Sequence, residues 1–248
     1  MGIILPDTIT ITNINASVPV KITSERRRSL RASVGATGLL LRIPNSFTKT
    51  QFDNAWVWFT RWVHQLVETK PTILQHLIPR RYKNGDYIVV RGLIYKIIII
   101  THTLKISKAS ILPNQVIQLK IFEDYDIEQA NAIVRKLIAG IMSKVHLAPI
   151  AERVAELNKQ YFNVKVVDIK IPHTHSRWGS CSTTGTIRLS SRLLLAPLDV
   201  IDYVIIHELS HLIEFNHSNN FWKLVEKAMP NYQEKEKWLK ENNYVCRF

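Results

Sequence analysis

The chain has 248 residues, with 33 lysines and arginines against 20 aspartates and glutamates, so its formal net charge is +13. Hydrophobic residues make up 46% of it, which excludes wholesale disorder. The two cysteines, Cys181 and Cys246, are too few and too far apart for a disulfide scaffold or a CxxC-type metal site. No run reaches the roughly 20 apolar residues of a membrane helix, and the N-terminus lacks the pattern of a secretory signal. We therefore expect a soluble cytoplasmic protein without membrane contact, and the charge suggests association with nucleic acid or a nucleotide.

The first half of the chain, residues 1–124, carries mostly β signals. Alternating apolar residues predict five strands, at 30–34, 39–43, 87–90, 94–101 and 115–122. The first two flank the segment Gly35-Ala36-Thr37-Gly38 and predict a hairpin. One tryptophan-rich helix interrupts this region, with an apolar stripe at helical spacing: Phe52, Trp56, Phe59, Val63 and Leu66.

The second half, residues 125–248, is mostly helical. Helices are predicted at 127–144, 151–161 and 197–214, with one or two more between 219 and 242. Pro149 is expected at a helix start or break. Strands are predicted at 164–171 and 186–190. The expected fold is α+β, with a β-rich N-terminal region packed on a helical region that carries the chemistry.

The motif that carries chemistry is His207-Glu208-Leu209-Ser210-His211, an HExxH sequence in a helix-compatible context. Residues four apart share one helix face, so His207 and His211 are expected to bind one metal ion. Glu208 lies on the adjacent flank, where its carboxylate can take a proton from a metal-bound water and return it to the leaving group. We therefore expect metal-assisted hydrolysis with Glu208 as the general base.

A catalytic zinc site needs a third protein ligand and one open position. His217 follows His211 by six residues, which is the ligand spacing of metzincins, although Glu214 stands at the usual glycine position. Glu226 is the alternative third ligand, and His173 or His175 is a weaker one. We expect one Zn²⁺ per chain, although three histidines also accept Co²⁺, Ni²⁺ or Mn²⁺.

A second motif precedes this helix, with the sequence RWGSC at residues 177–181. Arg177 is a candidate catalytic residue because a guanidinium group can polarise a carbonyl or hold a phosphate. A structural ion pair is the competing interpretation of the same residue. Cys181 has no basic partner in sequence, so burial is a better explanation for it than nucleophilic catalysis.

Taken together, RWGSC, the segments Gly185–Leu189 and Asn216–Ser218, and HELSH at 207–211 resemble the YgjP-like metal-dependent hydrolases. These are small zincins related to the WLM and SprT-like metallopeptidases, and the resemblance extends over residues 20–245. It implies a zincin-like catalytic region with a zinc site of His207, His211 and His217 and with Glu208 as general base.

Three functions remain open at this stage. The first is a zinc metallopeptidase in which metal-bound hydroxide attacks a peptide carbonyl, with the strand at 186–190 as the sheet edge that pairs with the peptide. DNA-associated protein is a natural substrate for that function, given the basic charge. The second is a nucleotide pyrophosphohydrolase in which Arg177, Arg188 and Arg192 hold phosphates. The third is a nucleic-acid or protein binding module with structural zinc, against which Glu208 argues because a structural site needs no acid.

Overall fold

The computed structural model describes residues 6–11, 16–35 and 37–248, and its contacts divide the chain between Pro79 and Arg80. Several small sheets and five α-helices in these ranges confirm the α+β class. The division differs from the predicted boundary after residue 124, because the strands between 87 and 122 share a core with the helical region. Ala36 of the predicted hairpin turn lies outside the described residues, and so do residues 1–5 of the N-terminus, where the sequence lacks the pattern of a secretory signal.

The first unit, residues 1–79, is built on a four-stranded sheet. Its strands are β1 (Thr8–Ile11), β2 (Ala16–Glu25), β3 (Arg31–Val34) and β4 (Leu39–Pro44). They are ordered β1-β2-β4-β3, with β2 parallel to β4. Because β3 pairs with β4 in antiparallel register, the predicted hairpin is confirmed.

Helix α1 (Lys49–Thr69) covers this sheet, and a short 3-10 helix (Gln75–Leu77) follows it. A capping box starts α1: the Thr48 hydroxyl accepts from the Gln51 amide at 3.3 Å, and the Gln51 side chain accepts from the Thr48 amide at 2.8 Å. The fully buried Phe59 packs between half-buried Trp56 and Trp62. These two tryptophans therefore belong to the core, as the helical spacing indicates.

The second unit, residues 80–248, contains a sheet of β5 (Tyr87–Val90), β6 (Leu93–His102), β7 (Lys108–Leu112) and β8 (Val116–Phe122). The strand order is β5-β6-β8-β7. The alternation of β6 and β8 turns Ile97, Ile117 and Leu119 inwards, where all three are fully buried. They pack against Ile138 and its neighbours on the long helix α2 (Ile127–Tyr161).

Helix α2 runs without interruption through Pro149, so the predicted break at this proline is wrong. Proline in a helix interior removes one hydrogen bond and costs roughly 3 kcal/mol. Here Pro149 is exposed to solvent, whereas Met142, Ile150 and Val154 on the inner face are buried in one continuous core. Packing on both sides of the proline therefore outweighs its local cost. Within the described ranges no helix has both the length and the apolar character needed to cross a membrane.

A second sheet, of three short strands, stands next to the catalytic motif. Its strands are β9 (Asp168–Lys170), β10 (Gly179–Cys181) and β11 (Thr186–Leu189). They are ordered β10-β11-β9, so β11 is the central strand and its predicted role as a sheet edge is wrong. The two edge strands are β10 and β9, since β11 pairs on one side with β10 and on the other with β9, and β10 is the edge strand that lies against α3.

The remaining elements are a 3-10 helix (Ser191–Leu195), α3 (Leu198–Ser210), α4 (Asn219–Ala228) and α5 (Tyr232–Glu241). Helix α3 is shorter than predicted. It ends at Ser210, where the amides of Leu212 and Ile213 bond to carbonyls only three residues back. This tightening of the last turn redirects the chain towards α4.

Arg192 ties several segments of the second unit together. It is 3% exposed, and its guanidinium donates to the backbone carbonyls of His175, Asn243 and Cys246 at 2.9, 3.1 and 2.9 Å. The same group lies over the ring of Trp178, 4.3 Å from the centroid. A single buried cation therefore anchors both the residue before β10 and the C-terminal segment.

Replacing Arg192 by Met, which keeps much of the volume but removes every donor, is expected to lower the free energy of unfolding by about 3–5 kcal/mol. The cause is the loss of donors for three backbone carbonyls. Arg188→Met, on the exposed face of β11, is the matched control and should change stability by less than about 0.5 kcal/mol. Urea unfolding followed by circular dichroism measures both. Equal midpoints for wild type and Arg192→Met would contradict the anchoring role.

Candidate metal centre

Helix α3 carries the HExxH motif at its C-terminal end. The helix is apolar and almost wholly buried, with Ile205, Ile206 and Leu209 each at most 1% exposed. Because its body is fixed in the core, the side chains at its end are held in place. His207 and His211 are half-buried on one face, whereas Glu208 is 5% exposed.

The chain returns after α3 and brings His217 to the other two histidines. In the connecting segment, Asn216 Oδ1 accepts from the Ser218 amide at 3.0 Å. The Ser218 hydroxyl in turn caps α4 by accepting from the Phe221 amide at 3.3 Å. His217 is thus held between a tightened helix end and a capped helix start.

The three imidazoles form a group that can bind one ion. Potential ligand atoms of His207, His211 and His217 all lie within 4.8 Å of one another. The Nε2 atoms of His207 and His217 are 3.1 Å apart. Two nitrogens bound to a tetrahedral zinc at roughly 2.0–2.1 Å would be about 3.3–3.4 Å apart, so this spacing fits the metal. Glu226, the alternative third ligand, is exposed on α4 and is not part of the group.

Ring packing orients these histidines. The fully buried Phe221 ring lies behind all three, with centroid distances of 4.9, 4.4 and 4.8 Å to His207, His211 and His217. His211 Nδ1 also lies 3.1 Å from the Glu214 carbonyl, which favours the tautomer that leaves Nε2 free for a metal. His207 Nδ1 is buried without a partner among the described residues, so its ring is positioned by packing alone.

Burial sets the charge of the site. It lowers the pKa of His207 to about 3 and also lowers that of His211, so both rings are neutral near pH 7, as ligation requires. Burial raises the pKa of Glu208 to about 8, against the opposing effect of the Arg177 charge. Glu208 Oε2 is buried and has no hydrogen-bond partner in the described chain.

Strand β10 approaches Glu208 so closely that only glycine fits at position 179. A Cβ atom on Gly179 would lie 2.8 Å from both Cγ and Cδ of Glu208, and closer still to Oε1. The sequence alone does not indicate this role of Gly179 in RWGSC, because the close contact joins residues that are far apart in the chain. The glycine in the motif was the available signal, since glycine often marks a close backbone approach.

The backbone of β10 also presents polar groups to its free edge. The Trp178 carbonyl accepts from the Ser190 amide at 2.7 Å, and the Ser182 amide donates to the Thr186 carbonyl at 3.0 Å. Because alternate residues of an antiparallel strand turn their polar groups to opposite sides, Gly179 and Cys181 direct theirs away from β11. No described strand pairs with that side of β10.

The other polar residues of the predicted site lie in different surroundings. Arg177 is exposed and forms no ion pair with a described residue, but its charge acts on Glu208. Arg192 is fully occupied by backbone carbonyls and Trp178, so it is not available to hold phosphates. Burial raises the pKa of Cys181 to about 11, which keeps it a thiol rather than a nucleophilic thiolate.

The comparison with known protein families agrees with this chemistry. The family described as YgjP-like, metallopeptidase domain, matches residues 28–242. Two solved structures are similar to part of the chain. The abylysin metallopeptidase zymogen of Pyrococcus abyssi is 24% identical over 37% of this chain and 93% of its own, with a TM-score of 0.35. The jannalysin zymogen of Methanocaldococcus jannaschii is 22% identical over 38% and 96%, with a TM-score of 0.35. None of the curated proteins matches the sequence.

His217→Ala is expected to abolish stoichiometric metal binding, whereas Glu226→Gln should retain it, because only His217 lies with His207 and His211. Elemental analysis of protein purified without a histidine tag measures both variants against wild type. Metal retained in His217→Ala and lost in Glu226→Gln would reverse the choice of third ligand.

Gly179→Ala is expected to keep the fold and the metal but to lower hydrolytic activity on the order of 10²-fold, because the new methyl group displaces the Glu208 side chain. Gly140→Ala is the control: a Cβ there meets nothing within 4 Å, and it should keep full activity. A crystal structure of Gly179→Ala with Glu208 unmoved would contradict the explanation.

Proposed function

We propose that this chain, which belongs to the YgjP-like metallopeptidase family, is a zinc-dependent peptidase that cleaves extended segments of protein substrates. The observation that carries the proposal is the buried carboxyl group of Glu208, whose Oε2 has no hydrogen-bond partner among the described residues, next to Gly179 on the β10 edge and in one cavity with His207 of the three-histidine group. A general base, a metal site and a surface for a peptide backbone thus adjoin one another. This combination suits hydrolysis of an amide bond better than structural metal binding.

Zinc is the proposed ion, one per chain, held by His207, His211 and His217. Three imidazoles at this spacing suit Zn²⁺ and leave a fourth position open. Cobalt, nickel or manganese would also be accepted by these donors. When bound, the ion supplies Lewis acidity that polarises the substrate carbonyl and makes water acidic.

Glu208 is proposed to move the proton. Its carboxylate takes a proton from the attacking water and delivers it to the amine nitrogen of the leaving group. Burial at 5% exposure keeps bulk water from competing for that proton. Gly179 keeps the carboxyl in place from one side, and the positive charges of Arg177 and of a bound dication would favour its ionised form.

Strand β10 is proposed to bind the substrate backbone. Its outward groups at Gly179 and Cys181 are free to pair with an extended peptide, which adds a strand to the three-stranded sheet. Such pairing recognises the peptide backbone and does not depend on the sequence of the substrate. It would place a peptide carbonyl next to Glu208, because Gly179 itself contacts that residue.

The nucleotide hydrolase is the less favoured alternative. Two of the three arginines considered for phosphate binding are not placed to hold a phosphate near Glu208. Arg192 is occupied in the core, and Arg188 is exposed on strand β11 and does not line the cavity beside Glu208.

We also propose an association with nucleic acid, based on the net charge of +13, in which the substrate is a DNA-associated protein. Both cysteines are free thiols, on which basis we propose the reducing cytoplasm as its location.

Glu208→Gln is expected to bind metal like wild type but to lose about 10²–10⁴-fold in peptide cleavage, because ligation is intact and the base is gone. His207→Ala should lose both properties. Digestion of an unfolded protein, followed by mass spectrometry, measures cleavage, and the same preparations are offered nucleoside triphosphates. Wild-type cleavage by Glu208→Gln would remove the general-base role, and release of pyrophosphate without peptide cleavage would favour the nucleotide pyrophosphohydrolase.

A further inference from the structure

A cavity of about 440 Å³ adjoins His207 and Glu208. Its walls come from β10, α3 and α5, and four large side chains line them: Trp178, Tyr203, Val204 and Leu239. The volume lies within the roughly 300–1,000 Å³ of ligand-binding pockets. Neither proton transfer by Glu208 nor metal ligation needs this space, so it is available to another part of the substrate.

The walls of the cavity are apolar and held in place by packing. Tyr203, Val204 and Leu239 are between 3% and 5% exposed, since each also belongs to the core. The ring of Tyr203 stacks on Tyr232 at a centroid distance of 6.4 Å. On the opposite element, Trp178 packs on the guanidinium of Arg192. The pocket is therefore preformed, and a ligand does not have to order its walls on binding.

The charged groups at the cavity are already paired, apart from Glu208. Glu236 and Lys240, one turn apart on α5, form an ion pair with Oε1 and Nζ 2.8 Å apart. Among the described residues that line the cavity, no lysine or arginine is unpaired, so a phosphate or carboxylate on a substrate side chain would find no basic side chain to pair with there. A basic side chain would have to compete with Lys240 for Glu236.

We propose that this cavity receives the side chain of the substrate residue next to the cleaved bond and selects a large apolar or aromatic one. The assignment rests on the proposed peptidase function. The β10 edge binds backbone without regard to sequence, so the cavity supplies the selectivity that the edge lacks. Leu239 is the specificity-determining residue because it forms the apolar part of the α5 wall and belongs to neither the metal site nor the proton path.

The test uses dipeptide hydroxamates that bind the metal and differ only in one side chain: benzyl, isobutyl, methyl, aminobutyl or carboxymethyl. Calorimetric titration of the zinc-loaded full chain is expected to give at least about tenfold tighter binding for benzyl than for methyl. In Leu239→Trp, which fills the cavity, this ratio should fall to near one while the methyl compound binds as before. Leu239→Phe, a smaller enlargement, is measured in parallel and should lower the ratio in the same direction.

Two exposed positions on α5 complete the test. Lys237→Gln, outside the cavity, is the control and should keep the wild-type ratio. Lys240→Gln frees Glu236 and should strengthen binding of the aminobutyl compound roughly two- to fivefold. Equal affinities for all side chains, or a benzyl preference that survives in both Leu239 variants, would overturn the pocket assignment and leave peptide cleavage untouched. A preserved preference in a protein that cleaves no peptide would instead overturn the peptidase function alone.

Discussion

The contact between Gly179 and Glu208 is the constraint on which the site depends. A carboxyl group buried without a partner for one oxygen is costly, and this cost is what raises its pKa to about 8. Helix α3 cannot turn to relieve it, because Ile205, Ile206 and Leu209 fix the helix in the core. The strand that closes over the carboxyl carries glycine, so nothing displaces the side chain from that side. The core thus maintains a locally unfavourable arrangement, as is common where chemistry is done.

Packing, more than hydrogen bonding, shapes the metal-binding group. Phe221 contacts all three imidazoles, and among the hydrogen bonds of the described residues only His211 has a backbone carbonyl behind its second nitrogen. Phe221 is the third residue after the cap Ser218, so the capping bond that starts α4 also places this ring. The capped start of α4 therefore positions both His217 and Phe221 at the metal-binding group. A change in that cap would act on the ligands without touching any of them.

The sequence predicted what depends on local spacing and missed what depends on contacts between distant residues. Histidines four apart lie on one face of any helix, so the relation of His207 to His211 follows from the motif alone. The prediction of a helix break at Pro149 is wrong because α2 is held on both sides of this proline by tertiary packing, which a local sequence pattern does not show. Strand β10 has only three residues, too few for an alternating pattern, so the free edge was assigned to β11. The role of Arg192 depends on carbonyls more than 50 residues away, as with Cys246, and no local pattern indicates it.

The positive charge of the chain and the chemistry of its site point to different interactions. The net charge of +13 acts over a distance and favours approach to polyanions, with an effect that salt screens. Within the site, however, burial keeps His207 neutral, Lys240 is paired with Glu236, and Arg192 is occupied by the backbone. A phosphate drawn to the surface would thus meet no free lysine or arginine among the described residues that line the cavity beside Glu208. An apolar side chain would lose its hydration there and gain contact with Tyr203 and Leu239, which is favourable for any substrate that also offers an extended backbone. In the function that we propose, charge brings the protein to a polyanion and its bound proteins, and the cavity selects the bond that lies next to Glu208.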